Sequence, residues 1–115
     1  MSAREFASRP GRAPVEIPIA LRAGEVACVG TSNNIGIGGL FLAVDRRFSV
    51  GDRFTLEFTL PNHIHPMSVD AEVRWIRAAD ERPAGIGMRF LNPPIGAMVA
   101  LYDLLRRTDL ERSVG

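Results

Sequence analysis

Lysine is absent from this 115-residue chain: all 14 basic residues are arginine, and they are nearly balanced by 13 acidic ones to a formal charge of +1. Such a bias makes any single arginine weak testimony to function. The small net charge argues against a surface built to neutralise many nucleic-acid phosphates. Cysteine is nearly absent too. Cys28 stands alone, which excludes an intrachain disulfide or a multi-thiolate metal site and reads as a small buried apolar residue. No apolar run approaches the roughly 18 residues that cross a bilayer, and Met1 to Pro14 lacks the apolar stretch of a secretory signal. The expected address is therefore the cytoplasm, without membrane insertion. Also missing are a phosphate-binding GKS/T loop, a GxSxG elbow and an HExxH helix, so the motifs of nucleotide hydrolysis, acyl transfer and zinc proteolysis do not occur. A protein that works by binding, not an enzyme, is expected.

What is present is enough for one core. Hydrophobic residues make up 46% and charged residues 23%, the balance of a folded globular domain of ordinary size. Val15, Ile17, Ile19 and Leu21 alternate with Glu16, Pro18 and Ala20 at the period of a half-buried strand, with Pro18 suggesting a sheet edge. Val26 to Val29 reads as a short second strand and Gly30 to Asn34 as a turn. A glycine-rich third strand follows from Ile35 to Leu42. Beyond the Ser49 to Asp52 turn, Phe54, Leu56, Phe58 and Leu60 share one face. Pro61 to Pro66 is a loop, and Val69, Ala71, Val73 and Trp75 are expected to point inward. Gly85 to Leu91 gives a sixth strand. Short alternating strands separated by recurrent turns define a small antiparallel barrel or sandwich. Pro93 and Pro94 then change the period, and Ile95, Met98, Val99, Tyr102 and Leu105 predict a terminal helix laid on the barrel. The expected divisions are a basic arm over 1–14 with Arg4, Arg9 and Arg12, a barrel with its helix over 15–107, and a tail over 108–115.

Four segments, in order, carry a resemblance: Asn34-Ile35-Gly36-Ile37-Gly38-Gly39-Leu40-Phe41-Leu42, Phe58 to Pro61, Ala71-Glu72-Val73-Arg74-Trp75 and Gly85-Ile86-Gly87-Met88-Arg89-Phe90. Together they resemble the PilZ family across roughly Arg9 to Leu105. The resemblance implies a six-stranded antiparallel β-barrel with a C-terminal α-helix that binds the bacterial messenger cyclic di-GMP and relays it to motility, exopolysaccharide or related machinery. It implies no cofactor. Family binding uses an RxxxR arm and a (Asp/Asn)xSxxG motif, because guanidinium groups meet phosphates and guanine edges while the amide accepts from guanine donors. Carried onto this chain, the site comprises Arg9, Arg12, Asn34, Gly36, Gly38 and Gly39. Two departures stand out: Ser8 lies four residues before Arg12, giving RxxR through Arg9, and Gly36 replaces the serine. Two lost contacts of about 1 to 3 kcal/mol each would weaken binding by roughly 10² to 10⁴.

Three functions therefore compete. One is a cyclic di-GMP receptor. A second is a PilZ-like scaffold that docks a protein partner through a strand edge, the Asn62 to Pro66 loop or the terminal helix. The third, a barrel that binds single-stranded nucleic acid, needs exposed aromatics interleaved with basic residues, which the inward alternation disfavours. His63 and His65 flank Ile64 but lack a third metal ligand at a set spacing, and read as solvated loop residues.

Overall fold

A computed structural model of the chain describes residues 11–44, 46–78, 80, 81 and 84–114, with side chains through 111. Its strands are β1 (Arg12–Ala13), β2 (Pro18–Ala23), β3 (Val26–Gly36), β4 (Gly39–Ala43), β5 (Arg53–Phe58), β6 (Met67–Arg77) and β7 (Gly85–Leu91), followed by the helix α1 (Ile95–Val114). Six of them pair antiparallel in the order β3-β2-β5-β6-β7-β4, and β4 returns to β3 to close a barrel. The short β1 is an extra strand that pairs with the end of β3. Among the described residues closure leaves no long edge unpaired, which is how a small antiparallel sheet avoids edge-to-edge association.

The hydrophobic alternation decides which face turns inward. Ile19 and Leu21 from β2, Leu56 and Phe58 from β5, Val69, Ala71 and Val73 from β6, and Ile86, Met88 and Phe90 from β7 fill the interior. Burial of each large side chain contributes roughly 1.5 to 3 kcal/mol. Five local expectations need correction. Pro18 is not on an edge strand: β2 lies between β3 and β5. Proline is tolerated because it opens the strand, ahead of the stretch paired with β5. Gly30 to Asn34 is not a turn but the middle of the long β3. The segment from Ile35 to Leu42 is not one strand: it reverses at Ile37-Gly38 between β3 and β4. Cys28 is only partly buried.

Trp75 is the fifth. A register shift between Val73 and Trp75 makes Arg74 an extra residue in β6, so Arg74 and Trp75 both leave the interior and Trp75 is 37% exposed. A bulge of this kind re-aims the side chain after it.

The helix forms where expected, with the Pro94 carbonyl accepting from Met98 N at 3.0 Å, but its contact face differs. Ala97, Leu101, Leu104 and Leu105 are buried against the barrel, whereas Ile95, Val99 and Tyr102 are 84%, 64% and 61% exposed. The chain supplies two apolar stripes to one helix, and periodicity alone does not say which one the barrel takes. The helix also continues to Val114, past position 107. It is not apolar enough to cross a membrane.

A candidate ligand rim on the outer face of the barrel

Strand register brings the site together. Asn34 pairs with Phe41, Phe41 with Gly87, and Gly87 with Trp75. Paired residues of a sheet share a face, so these four form one row across β3, β4, β7 and β6 on the outside of the barrel. A neighbouring outer row runs Gly39, Arg89, Glu72 and Arg53. The bulge at Arg74 places Trp75 in its row, and a second register shift, between Ser32 and Asn34, does the same for Asn34.

Glycine makes the surface close. A Cβ at Gly39 would collide with the Met88 carbonyl oxygen, and a Cβ at Gly87 with the Trp75 indole. The tryptophan therefore lies flat over Gly87 and stacks on Phe41, with ring centroids 5.2 Å apart and an angle of 26°. The Arg77 guanidinium lies beside both rings, 5.2 Å from the Phe41 centroid and 5.6 Å from that of Trp75.

Arg12 reaches the row from β1, which sets Arg12 opposite Gly36 and Ala13 opposite Ile35. Its Nε donates to Asn34 Oδ1 at 2.8 Å, and Nη2 donates to the same oxygen. Asn34 is 0% exposed, and its Nδ2 donates to Asn33 Oδ1 at 3.5 Å. The anchor beneath is Ser32, also buried, which neither periodicity nor motif singles out. Its hydroxyl donates to the Val15 carbonyl at 2.5 Å and accepts from Ile17 N at 3.0 Å. Ser32 thereby fastens the segment after Arg12 to β3, and in the sequence the polar run Ser32-Asn33-Asn34 carries no sign of that burial.

Of the residues anticipated from sequence, Arg12, Asn34, Gly36 and Gly39 lie together, and Gly38 is on the adjacent turn. Arg9 falls outside the described residues. Arg74, Trp75 and Arg89 carry no site signal in the sequence: with Arg12, Gly38 and Gly39 they border a cleft of about 180 Å³. Arg74 pairs with Glu72 at 3.0 Å, and Arg53 meets the other Glu72 oxygen at 3.0 Å. Hydrogen bonds from Arg74, then from Arg53, hold the Glu72 carboxyl below its ordinary 4.5. The histidine loop makes a poor alternative. His63 Nδ1 lies 3.0 Å from the Pro61 carbonyl, and among the described residues no cluster of three metal-ligating side chains occurs.

A closed six-stranded antiparallel barrel with one extra strand and a C-terminal helix defines the chain as a small β-barrel domain. The PilZ domain family model matches residues 4–107, and the chain belongs to the PilZ domain family, a family of cyclic di-GMP signalling whose members take the dinucleotide as a ligand and not as a cofactor. No curated protein matches the chain. Solved structures share the fold. The Bacillus subtilis inhibitor of motility (MotI/DgrA) superposes with a TM-score of 0.76 at 21% identity over 87% of this chain, which spans 49% of that one. The PilZ domain of CeSA from a cellulose-synthesizing bacterium gives 0.62 at 14% identity, covering 85% of this chain and 97% of that one. The PilZ domain of YcgR from Escherichia coli, solved with c-di-GMP, gives 0.62 at 15% identity and covers 84% of each.

Proposed function

We propose that this protein is a cyclic di-GMP-responsive adaptor of the bacterial cytoplasm, acting by binding and not by catalysis, with motility among its candidate outputs. The observation that carries the reading is the shared outer surface: Arg12 bonded to Asn34, and Trp75 in register with Asn34 through Phe41 and Gly87. Each part suits one part of a guanine dinucleotide. Arg12 and Arg89 supply guanidinium donors for phosphate oxygens and guanine edges. Trp75 offers a half-exposed aromatic plane for a base to stack on. Gly38 and Gly39 let the ligand approach the backbone, and Asn34, buried beneath Arg12, orients that guanidinium through its amide oxygen. Arg9, three residues before Arg12, is a further guanidinium for the arm to bring over the ligand. The solved relative from Escherichia coli with c-di-GMP bound, and the motility inhibitor from Bacillus subtilis, support ligand and output alike.

The test is isothermal titration of the full chain with cyclic di-GMP, which should release heat that falls at least about tenfold in affinity in Arg12→Ala, the loss of one charged hydrogen-bonding group. Absence of heat at millimolar ligand would sink the receptor reading. One observation favours a second function, docking of a protein partner without the dinucleotide: the Ile95, Val99, Tyr102 stripe on α1 lies exposed at one helical spacing.

A further inference from the structure

Helix α1 has a second apolar face that the barrel does not cover. Ala97, Leu101, Leu104 and Leu105 lie buried, and at about 3.6 residues per turn Ile95, Val99, Tyr102 and Arg106 fall on the opposite side, pointing outward. Their steps of four, three and four residues make a straight seam of the kind by which two helices pack. Leu110, 58% exposed, continues the seam. Ile64, 87% exposed, belongs to its start, where His63, His65, Pro94 and Gly96 border one cleft of about 340 Å³. Charge divides the same helix. No charged residue occurs from Ile95 to Tyr102, whereas Asp103, Arg106, Arg107, Asp109, Glu111 and Arg112 all follow. Asp103 meets Arg106 at 3.6 Å and Arg107 at 3.1 Å, so the seam selects by apolar fit and not by net charge.

We propose that a second copy of the chain covers this seam, the two α1 helices lying antiparallel across a two-fold axis between Val99 and Tyr102. Val99 of each copy then packs on Tyr102 of the other, and the uncharged first half of one helix lies along the charged second half of its counterpart. A parallel pair would instead set Arg106 against Arg106, and like charges at that range repel. The antiparallel pair also carries Leu110 of each copy to the Ile95 and Ile64 end of the other. The area suffices. Ile64, Ile95, Val99, Tyr102 and Leu110 are each more than half exposed, and at about 100 Å² for each side chain covered, the two copies remove roughly 1,000 Å² from water, the lower bound for a specific interface. Closed two-fold contact between identical patches is the commonest way in which soluble chains associate. None of these residues belongs to the rim around Arg12 and Trp75, so the dimer does not depend on the cyclic di-GMP reading.

The deciding measurement is sedimentation equilibrium of the full chain without ligand, over concentrations from about 1 μM to about 1 mM. The mass should rise from the 12.6 kDa of one chain toward twice that value, with a midpoint in the micromolar range expected of so small an interface. Val99→Glu and Tyr102→Lys should each raise that midpoint at least about tenfold, by leaving an unpaired charge in the seam. An equimolar mixture of the two variants should regain association, because antiparallel pairing sets position 99 of one chain against position 102 of the other. Both positions are exposed in the single copy, so each variant keeps the native fold, checked by circular dichroism. Val29→Glu charges an equally exposed apolar residue on β3 and should leave the midpoint where it is. A native chain that stays monomeric throughout overturns the proposal and leaves the seam to a different protein. An unchanged midpoint in both seam variants, or an equal loss in Val29→Glu, places any association on another face and overturns it as well. Failure of the mixture to recover refutes the antiparallel pairing.

Discussion

The β5–β6 hairpin and the β3–β4–β7 surface are built from the same strand geometry, yet one is regular and the other is not. In β5, Phe54, Leu56 and Phe58 are buried and Arg53 and Glu57 exposed, in strict alternation, and the first half of β6 answers residue for residue. Across β3, β4 and β7 the pattern breaks. Two register shifts, buried Ser32 and Asn34, and glycines at 36, 39 and 87 interrupt it. The regular region is a wall whose residues are explained by burial. The irregular one gives up local stability to bring polar and aromatic groups to a single outer surface, as functional surfaces commonly do.

That contrast can be broken on purpose. The largest effect belongs to the wall: Leu56→Ala should destabilise the fold by about 2 to 5 kcal/mol, read by denaturant unfolding, while the surviving folded fraction keeps its affinity for cyclic di-GMP. An affinity loss in that fraction would erase the distinction between the two regions. Trp75→Ala should do the opposite. Removing a stacking plane weakens dinucleotide binding by about 1 to 3 kcal/mol, measured by titration, with a smaller fall in stability from the uncovered Phe41. If binding is unchanged, the indole only covers the sheet.

The smallest effect lies between the regions, at Glu72. Its pKa is depressed by Arg74 and Arg53, so its contribution to stability is complete above the ordinary value of 4.5 and disappears as pH falls through the lower folded value. The side chains of Arg53 and Arg74 are 71% and 53% exposed, and solvent screening keeps such a pair weak. Glu72→Gln should therefore melt slightly below the native protein at neutral pH, with the two converging on acidification. A gap that widens in acid would contradict the assigned pairing.

The wall is readable because one-sided burial forces polar and apolar residues to alternate, and a period of two can be counted along β2, β5 and the first half of β6. Asn34, Gly36 and Gly39 are also legible, through family resemblance and not through periodicity. The rest of the surface is not. Arg74 and Trp75 look like members of an uninterrupted alternation until the bulge is seen, and Arg89 looks like any solvent-facing arginine in a chain that has no lysine. Ser32 falls in a stretch that reads as a turn, although its hydroxyl is what fastens the arm. The helix after Pro94 is legible too, but periodicity gives its Ile95, Val99 and Tyr102 stripe to the barrel, and the structure leaves that stripe exposed.

Composition and local pattern, by themselves, determined a small antiparallel barrel or sandwich with a terminal helix, because the alternation of apolar residues leaves only one face to bury, and the pairing of β4 with β3 then closed it as a barrel. Tertiary structure alone decided that Arg12 reaches Asn34 across 22 positions of sequence, that Trp75 turns outward, and which stripe of the helix meets the barrel. Those outcomes depend on strand register and on contacts between distant segments. A bulge of one residue reverses the facing of the strand beyond it, and that shift is set by the partner strand and not by the residues that undergo it.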